Sequence, residues 1–403
     1  MSNLKANSDE HVERRRIIGQ LSAAVITRTA LNTARRFPYT YAPVLARGLG
    51  VQLSAVTSLI ALSQATSLLA PVFGPLGDRY GYRVMMLTGM ALLTGMALVG
   101  FFPFYGFVLL AVVLASLGKN IFDPALQAFV GQRVSYKNRG RAMGAIELAW
   151  AGATLVGIPL VGLLIENFNW QAPFIALGLV GCVGFAVIAR VIPAGPHRSV
   201  GSGPPLRSRE AWKLLAQNHS ARWALVIGFL ISAANDVLFV IYGAWLESSF
   251  SLGIVALGTA TMVIGVAEVC GEGFTAMLAD RIGLKRSLAI GMVVSIAAYL
   301  LLPFAGESLP MALGGLFLVF ISYEFTMVTS FSLFTEVLPR ARATMMSTYF
   351  AASGLGRVAG ALTGALLWAT YGLTATAVIC ALLNLFALEC LRRFGKRWDG
   401  EPA

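Results

Sequence analysis

The amino-acid sequence predicts an all-α membrane protein, with twelve transmembrane helices arranged as two pseudo-symmetric six-helix bundles. Three observations carry that prediction. Apolar stretches are long enough to cross a bilayer, basic residues gather on one side of them, and landmarks recur after about 200 residues.

The 403 residues are 57% hydrophobic and 12% charged, against roughly a quarter charged in a soluble domain. Windows of about 19 residues place spans at 17–45, 52–77, 84–103, 107–131, 142–165, 173–192, 222–246, 254–279, 287–305, 310–335, 343–369 and 373–391. Residues 84–102 and 287–303 hold no charged side chain, whereas an amphipathic helix of a soluble core keeps a polar face. Backbone groups in lipid must be paired within the segment, so the spans are helices. The short alternating segments of a membrane β-barrel are absent from the pattern.

The net charge of +12 raises nucleic acid as a partner, and its placement excludes one. With both termini in the cytoplasm, only Arg47 of the 31 Lys and Arg falls on the outer side. Five lie within spans away from their ends, leaving 25 in cytoplasmic segments or at the cytoplasmic ends of spans. That is the positive-inside pattern of an even number of spans in a cell (inner) membrane. Residues 1–16 form a polar cytoplasmic tail without a signal-cleavage pattern and are expected to remain on the chain. Residues 17–192 form the first bundle, 193–221 a cytoplasmic linker rich in Gly, Pro, Ser and basic residues, 222–391 the second bundle and 392–403 a cytoplasmic tail.

Cys182, Cys270, Cys380 and Cys390 lie in or near spans without ligand spacing, so no metal or other cofactor is expected. His11, His197 and His219 all fall in cytoplasmic segments. With no nucleotide loop or nucleophile motif, the sequence does not read as an enzyme.

Two landmarks relate the halves. GPLGDRYGYR follows the second span, with Gly74, Asp78, Arg79, Gly81 and Arg83. AMLADRIGLKR follows the eighth, with Asp280, Arg281, Gly283, Lys285 and Arg286, at an offset of 202 residues. Arg139 and Arg340, after the fourth and tenth spans, align at an offset of 201. On these motifs the chain resembles the major facilitator superfamily over nearly its whole length, departing at Val84, where a second basic residue is usual, and at Ala276, where the repeat lacks its first Gly. Gly152, Gly157, Pro159 and Gly162 in span 5 resemble the Gly- and Pro-rich motif of its drug:proton antiporter branch, with Ile158 in place of a Gly. The resemblance implies a carrier whose halves rock about a central cavity lined by helices 1, 4, 7 and 10, with helices 3, 6, 9 and 12 against lipid. It also implies that the two loop motifs, with Arg139 and Arg340, are gating elements. Among the helices set against lipid, only Arg190 and Glu389 carry charge, both near cytoplasmic ends.

Eleven ionisable residues lie inside spans away from their ends, each a candidate functional residue because buried charge is costly: Arg28, Arg35, Arg36, Lys119, Asp123, Glu147, Asp236, Glu268, Glu272, Glu324 and Arg357. Arg28, Asn32, Arg35 and Tyr39 share one helical stripe, Arg36 sits about 100° from it and Pro38 is expected to bend the helix. An Arg fork suits a carboxylate or phosphate. Lys119 and Asp123 are spaced to pair on span 4 beside Asn120, and an offset of 201 carries Asp123 onto Glu324. Asn235 and Tyr242 complete the candidate substrate site.

Asp236 has no basic neighbour at helical spacing, and burial of such a carboxylate favours its neutral form, so it is a candidate proton carrier. Glu268 and Glu272, at i and i+4, repel unless one is protonated or paired. Arg357 is the available counter-charge, and the other glutamate joins Glu324 in titrating. The first half thus holds four basic and two acidic intramembrane residues, the second one basic and four acidic.

These features describe a secondary transporter moving a small organic solute by alternating access, with proton-coupled efflux as the reading that the span 5 motif favours. Its partners are the solute, protons and the lipid bilayer, and a monomer is expected. Proton-coupled uptake of an organic anion, or export of a zwitterionic amphiphile or siderophore, stays open. A non-transporting sensor on the same fold is disfavoured, because both gating loops look intact.

Overall fold

The computed structural model describes residues 2–70, 72–73, 80–133, 146, 148–193, 208–335, 337–338 and 342–395. Every long regular element among them is helical: α1 (Ser2–Thr40), α2 (Ala42–Leu49), α3 (Leu53–Ala65), α4 (Tyr82–Thr94), α5 (Tyr105–Arg133), α6 (Leu148–Asn167), α7 (Ala172–Val191), α8 (Ser208–Gln217), α9 (His219–Phe239), α10 (Tyr242–Phe250), α11 (Ile254–Ile282), α12 (Leu284–Leu301), α13 (Leu309–Thr335) and α14 (Arg342–Gly395).

Nine helices among the described residues are long and apolar enough to cross a membrane, or ten counting the bent pair Ala42–Leu49 and Leu53–Leu69. The difference from twelve has physical sources. The stretch Met345–Phe394 is 50 residues long and is broken at Gly372, whose φ of 74° is non-helical, so it supplies two spans. Meanwhile α1 fails a purely apolar test because Arg28, Arg35 and Arg36 lie in it, although all three are buried.

α1 runs back through the segment expected to be a polar tail. The stretch expected to be plain linker contains α8, whose Leu215 packs into a buried cluster with Ala221, Phe334 and Phe394. Asn218 then caps α9 by accepting a hydrogen bond from the Ala221 amide at 2.9 Å.

The duplication reaches the backbone itself. Gly81 (φ 103°) and Gly283 (φ 93°), 202 residues apart, open α4 and α12 in a conformation that L side chains rarely adopt. Gly50 (φ 65°) and Ser251 (φ 50°) close α2 and α10 in the left-handed region. Span 1 breaks between α1 and α2 just as span 7 breaks between α9 and α10, and 3-10 turns follow both α4 and α12.

The chain forms two compact units. Unit 1 comprises Met1–Arg35, Val72–Ala153 and Gln171–Gly201; unit 2 comprises Arg36–Pro71, Thr154–Trp170 and Ser202–Ala403. In unit 1, Gly89 and Gly118 let α4 and α5 approach closely: a methyl group on Gly89 would lie 2.7 Å from the Gly118 carbonyl. In unit 2, Gly356, Gly360 and Gly364 of α14 lie against the carbonyls of Phe229, Ala233 and Val237 of α9, the small-residue packing by which membrane helices associate. Burial sets span 7 apart from three of the spans expected against lipid. The window in His219–Phe250 is 78% buried, against 39% in Tyr82–Gly100, Ala172–Val191 and Leu284–Glu307, which correspond to spans 3, 6 and 9.

Of the residues expected to gate, Gly74, Asp78, Arg79, Arg139 and Arg340 lie outside the described residues, as does Glu147, and the Asp280 side chain is likewise not described. The Arg83 guanidinium donates to the Ala189 carbonyl. Arg281, Lys285 and Arg286 are exposed.

Candidate functional site

The intramembrane charges gather into two clusters, one in each unit. In unit 1 the stripe of α1 presents Arg28 to α5. The Arg28 Nε donates to Asp123 Oδ1 at 2.9 Å and Nη2 to Oδ2 at 3.4 Å, while Nη1 donates to the Ile146 carbonyl at 2.8 Å. Lys119 also pairs with Asp123, one turn earlier on the same helix, and its Nζ lies 5.2 Å from the centroid of the Trp150 ring. The predicted Lys119–Asp123 pair is therefore a triad. Asn32, one turn from Arg28, is fully buried, and neither atom of its amide group has a hydrogen-bond partner among the described residues. Arg35 is buried in the same unit, and Asn120 is half-buried beside Lys119.

In unit 2 the last two turns of α1 carry Arg36, Tyr39 and Thr40, and each engages the C-terminal half of the sequence. Arg36 makes a two-pronged ion pair with Glu268 of α11, its Nη1 donating to Oε2 at 2.9 Å and its Nη2 to Oε1. The Tyr39 hydroxyl donates to Asp236 Oδ2 at 2.9 Å and accepts from Gln64 Nε2 at 2.6 Å. Thr40 and Tyr242 share a hydroxyl–hydroxyl bond of 2.6 Å, and Tyr242 reaches on to Thr261 at 3.3 Å. These three contacts surround Phe239. Tyr39 packs on its ring at 4.6 Å, Tyr242 stacks at 5.3 Å, Phe320 meets it edge-on at 5.4 Å, and the Arg36 guanidinium lies 5.5 Å above its centroid.

Local sequence explains the delivery. Pro159 lacks an amide hydrogen, and the helix ahead of it widens into a π turn at Ala153–Gly157. Within that turn Thr154 donates to Glu268 Oε2 at 3.3 Å. The side-chain-free Gly162 and Gly258 make room for the Tyr41 hydroxyl, which donates to the Ile158 carbonyl at 3.0 Å. On the other side, Gly360 brings α14 against Asp236, where a methyl group would sit 2.9 Å from the Asp236 Cβ; Gly271 does the same beside Glu324, at 2.8 Å.

Arg357 is the counter-charge expected for one of Glu268 and Glu272; Glu268 pairs with Arg36. Arg357 lies within electrostatic reach of Asp236 and Glu324, and Glu324 within reach of Glu268, Glu272 and Arg36. Asn235 donates to Asp236 Oδ1 at 3.4 Å. Tyr242, expected to meet substrate, is fully buried in its hydroxyl contacts. The stripe predicted as one surface is divided: Arg28, Asn32 and Arg35 belong to unit 1 and Tyr39 to unit 2. Gln64, Thr154, Phe239 and Trp150 were not singled out from sequence. The one available signal was that Gln64 and Thr154 are polar side chains in otherwise apolar spans.

Comparison with known proteins adds the family. The family model described as Major Facilitator Superfamily matches residues 24–265 and again 224–397. An uncharacterised transporter of this type from Bacillus subtilis, YceJ, is 25% identical over 82% of this chain and 85% of its own length. A homologue of the multidrug resistance efflux pump PmrA from Lactococcus lactis is 25% identical over 80% and 82%. The class G tetracycline resistance protein of Vibrio anguillarum is 25% identical over 84% and 87%. Among solved structures, a bacterial homologue of the human lysosomal transporter Spinster, in an inward-facing and occupied conformation, matches with a TM-score of 0.72. It is 14% identical over 95% of this chain and 98% of that one, a likeness of fold alone.

Proposed function

The chain belongs to the major facilitator superfamily of multi-pass membrane transporters, and from that membership we propose that it exports a small organic solute by alternating access, driven by protons. The observation that carries this reading is the pair of buried carboxylates in unit 2, Glu268 and Asp236, each holding a different residue of the last turns of span 1. An ionised Glu268 balances Arg36, and a neutral one does not. Asp236 accepts strongly from Tyr39 as a carboxylate and weakly as an acid. Proton arrival at either group therefore loosens the grip of the C-terminal helices on span 1, which a carrier must release to expose its site on the second side. The positive-inside distribution supports an orientation with both termini in the cytoplasm and this seam toward the outer face. Residues 17–192 and 222–391 are then the two moving bundles. The span 5 motif and the efflux pumps among the relatives support the outward direction.

The test uses inverted membrane vesicles with an imposed pH gradient, acid inside, and a panel of labelled solutes. Gradient-dependent accumulation is expected for the wild type and is lost in Asp236→Asn and Glu268→Gln. Accumulation that needs no gradient, or variants that keep full gradient dependence, defeats the proposal.

A further inference from the structure

We propose that Arg28, Lys119 and Asp123 form a carboxylate-binding subsite, in which the carboxylate of an organic substrate takes the place of Asp123 on the Arg28 guanidinium. The inference rests on the chain being a solute transporter and adds the chemical class of what it carries.

Charge is the first argument. The triad holds two cations and one carboxylate, and the cationic side chains are only 5% exposed. Buried guanidinium and ammonium groups are costly unless anions reach them, and a carboxylate is an anion that fits between the two.

Geometry is the second argument. Asp123 occupies the Nε and Nη2 edge of Arg28, the edge that receives a planar carboxylate as a fork. It is the most accessible member of the triad at 20% exposure, and Lys119 on its own helix holds it independently. It can therefore leave Arg28 and remain ion-paired. The guanidinium stays oriented through the exchange, because Nη1 is tied to the Ile146 carbonyl at 2.8 Å. Asp123 is in this sense an internal stand-in for the ligand.

Asn32 supplies the third argument. It is fully buried, lies on the face of α1 that carries Arg28, and neither amide atom has a partner among the described residues. An unsatisfied buried amide is unfavourable unless a ligand or water completes it. Its donor and acceptor next to an anion fork favour a carboxylate bearing a hydroxyl or amino group.

The experiment is a thermal-unfolding titration of the full chain, purified in detergent, with sodium lactate, propionate, chloride and phosphate at matched ionic strength. Lactate is expected to raise the wild-type Tm saturably and at lower concentration than propionate. Chloride and phosphate act no more than ionic strength does. Arg28→Lys abolishes the lactate response, and Asn32→Leu removes the preference for lactate over propionate. Asp123→Ala starts from a lower Tm and is restored by formate, with half-saturation at least tenfold below that of the wild type. If Asp123→Ala does not fold, the wild type and Arg28→Lys decide the matter. Equal lactate responses in those two, or a wild type that responds to chloride as to lactate, overturns the subsite. The titration involves no transport. A protein that binds lactate as described but moves solutes without a pH gradient sinks the export reading alone, and one that exports with the gradient but ignores carboxylates sinks this one alone.

Discussion

Breaking the Arg36–Glu268 pair is the most informative perturbation of unit 2. Both side chains are about 5% exposed or less, both guanidinium nitrogens are used, and Thr154 adds a bond to the same carboxylate. Arg36→Met leaves a buried glutamate without its cation, and Glu268→Leu leaves a buried guanidinium without its anion. Removing one partner of such a pair costs about 3–5 kcal/mol, whereas replacing both with apolar side chains costs far less, because the desolvation penalty disappears with the charges. The double variant is therefore expected to be more stable than either single one, with a coupling energy on the order of 3 kcal/mol. The measurement is reversible unfolding of the purified protein in mixed micelles, carried through the full double-mutant cycle. A loss of this size is roughly a hundredfold in an equilibrium. If it falls on the seam rather than on global unfolding, a cysteine at the buried position Ala244, introduced as Ala244→Cys, reacts correspondingly faster with a water-soluble maleimide in the single variants. Single-variant losses that add to the double within about 0.5 kcal/mol refute the reasoning, since the two charges would then not depend on one another.

Two further perturbations test neighbouring contacts. Tyr39→Phe deletes the hydroxyl that both Gln64 and Asp236 use, and should cost about 1–3 kcal/mol while altering the pH profile of transport, a change that loss of packing alone does not produce. Gly360→Val drives a side chain to within 2.6 Å of the Ala233 carbonyl and should cost about 1–3 kcal/mol by thermal unfolding, whereas Gly273→Ala, which meets nothing within 4 Å, serves as the silent control.

What could be read from sequence was what depends on local pattern. Apolar length gave the spans, the 202-residue offset gave the repeat, and the structure carries that repeat into the matching positive φ angles of Gly81 and Gly283. The spacing of Lys119 and Asp123 gave one ion pair. What could not be read was any choice that depends on a partner far along the chain. Glu268 and Glu272 are equivalent in a helical pattern, and only packing places Glu268 opposite Arg36, 232 residues earlier. The stripe from Arg28 to Tyr39 covers twelve residues, about 16 Å of helix, and periodicity fixes its face without saying that its ends belong to different units.

The opposite charge bias of the two halves acquires a physical role once Arg36 is followed to its partner. Counted along the sequence, the excess is basic before the linker and acidic after it. A charge in lipid must find a counter-charge somewhere, and the cheapest one is on whichever helix it already touches. Arg36 finds Glu268, so part of the bias is consumed by the contact that holds span 1 to the second half. Asp236 and Glu324 lie within electrostatic reach of Arg357, and Glu324 within reach of Glu272. On the export proposal, a proton that binds or leaves one of these carboxylates changes the hold on Tyr39 and Arg36. Under that proposal, the acidic side chains that hold span 1 are also the groups through which protons release it.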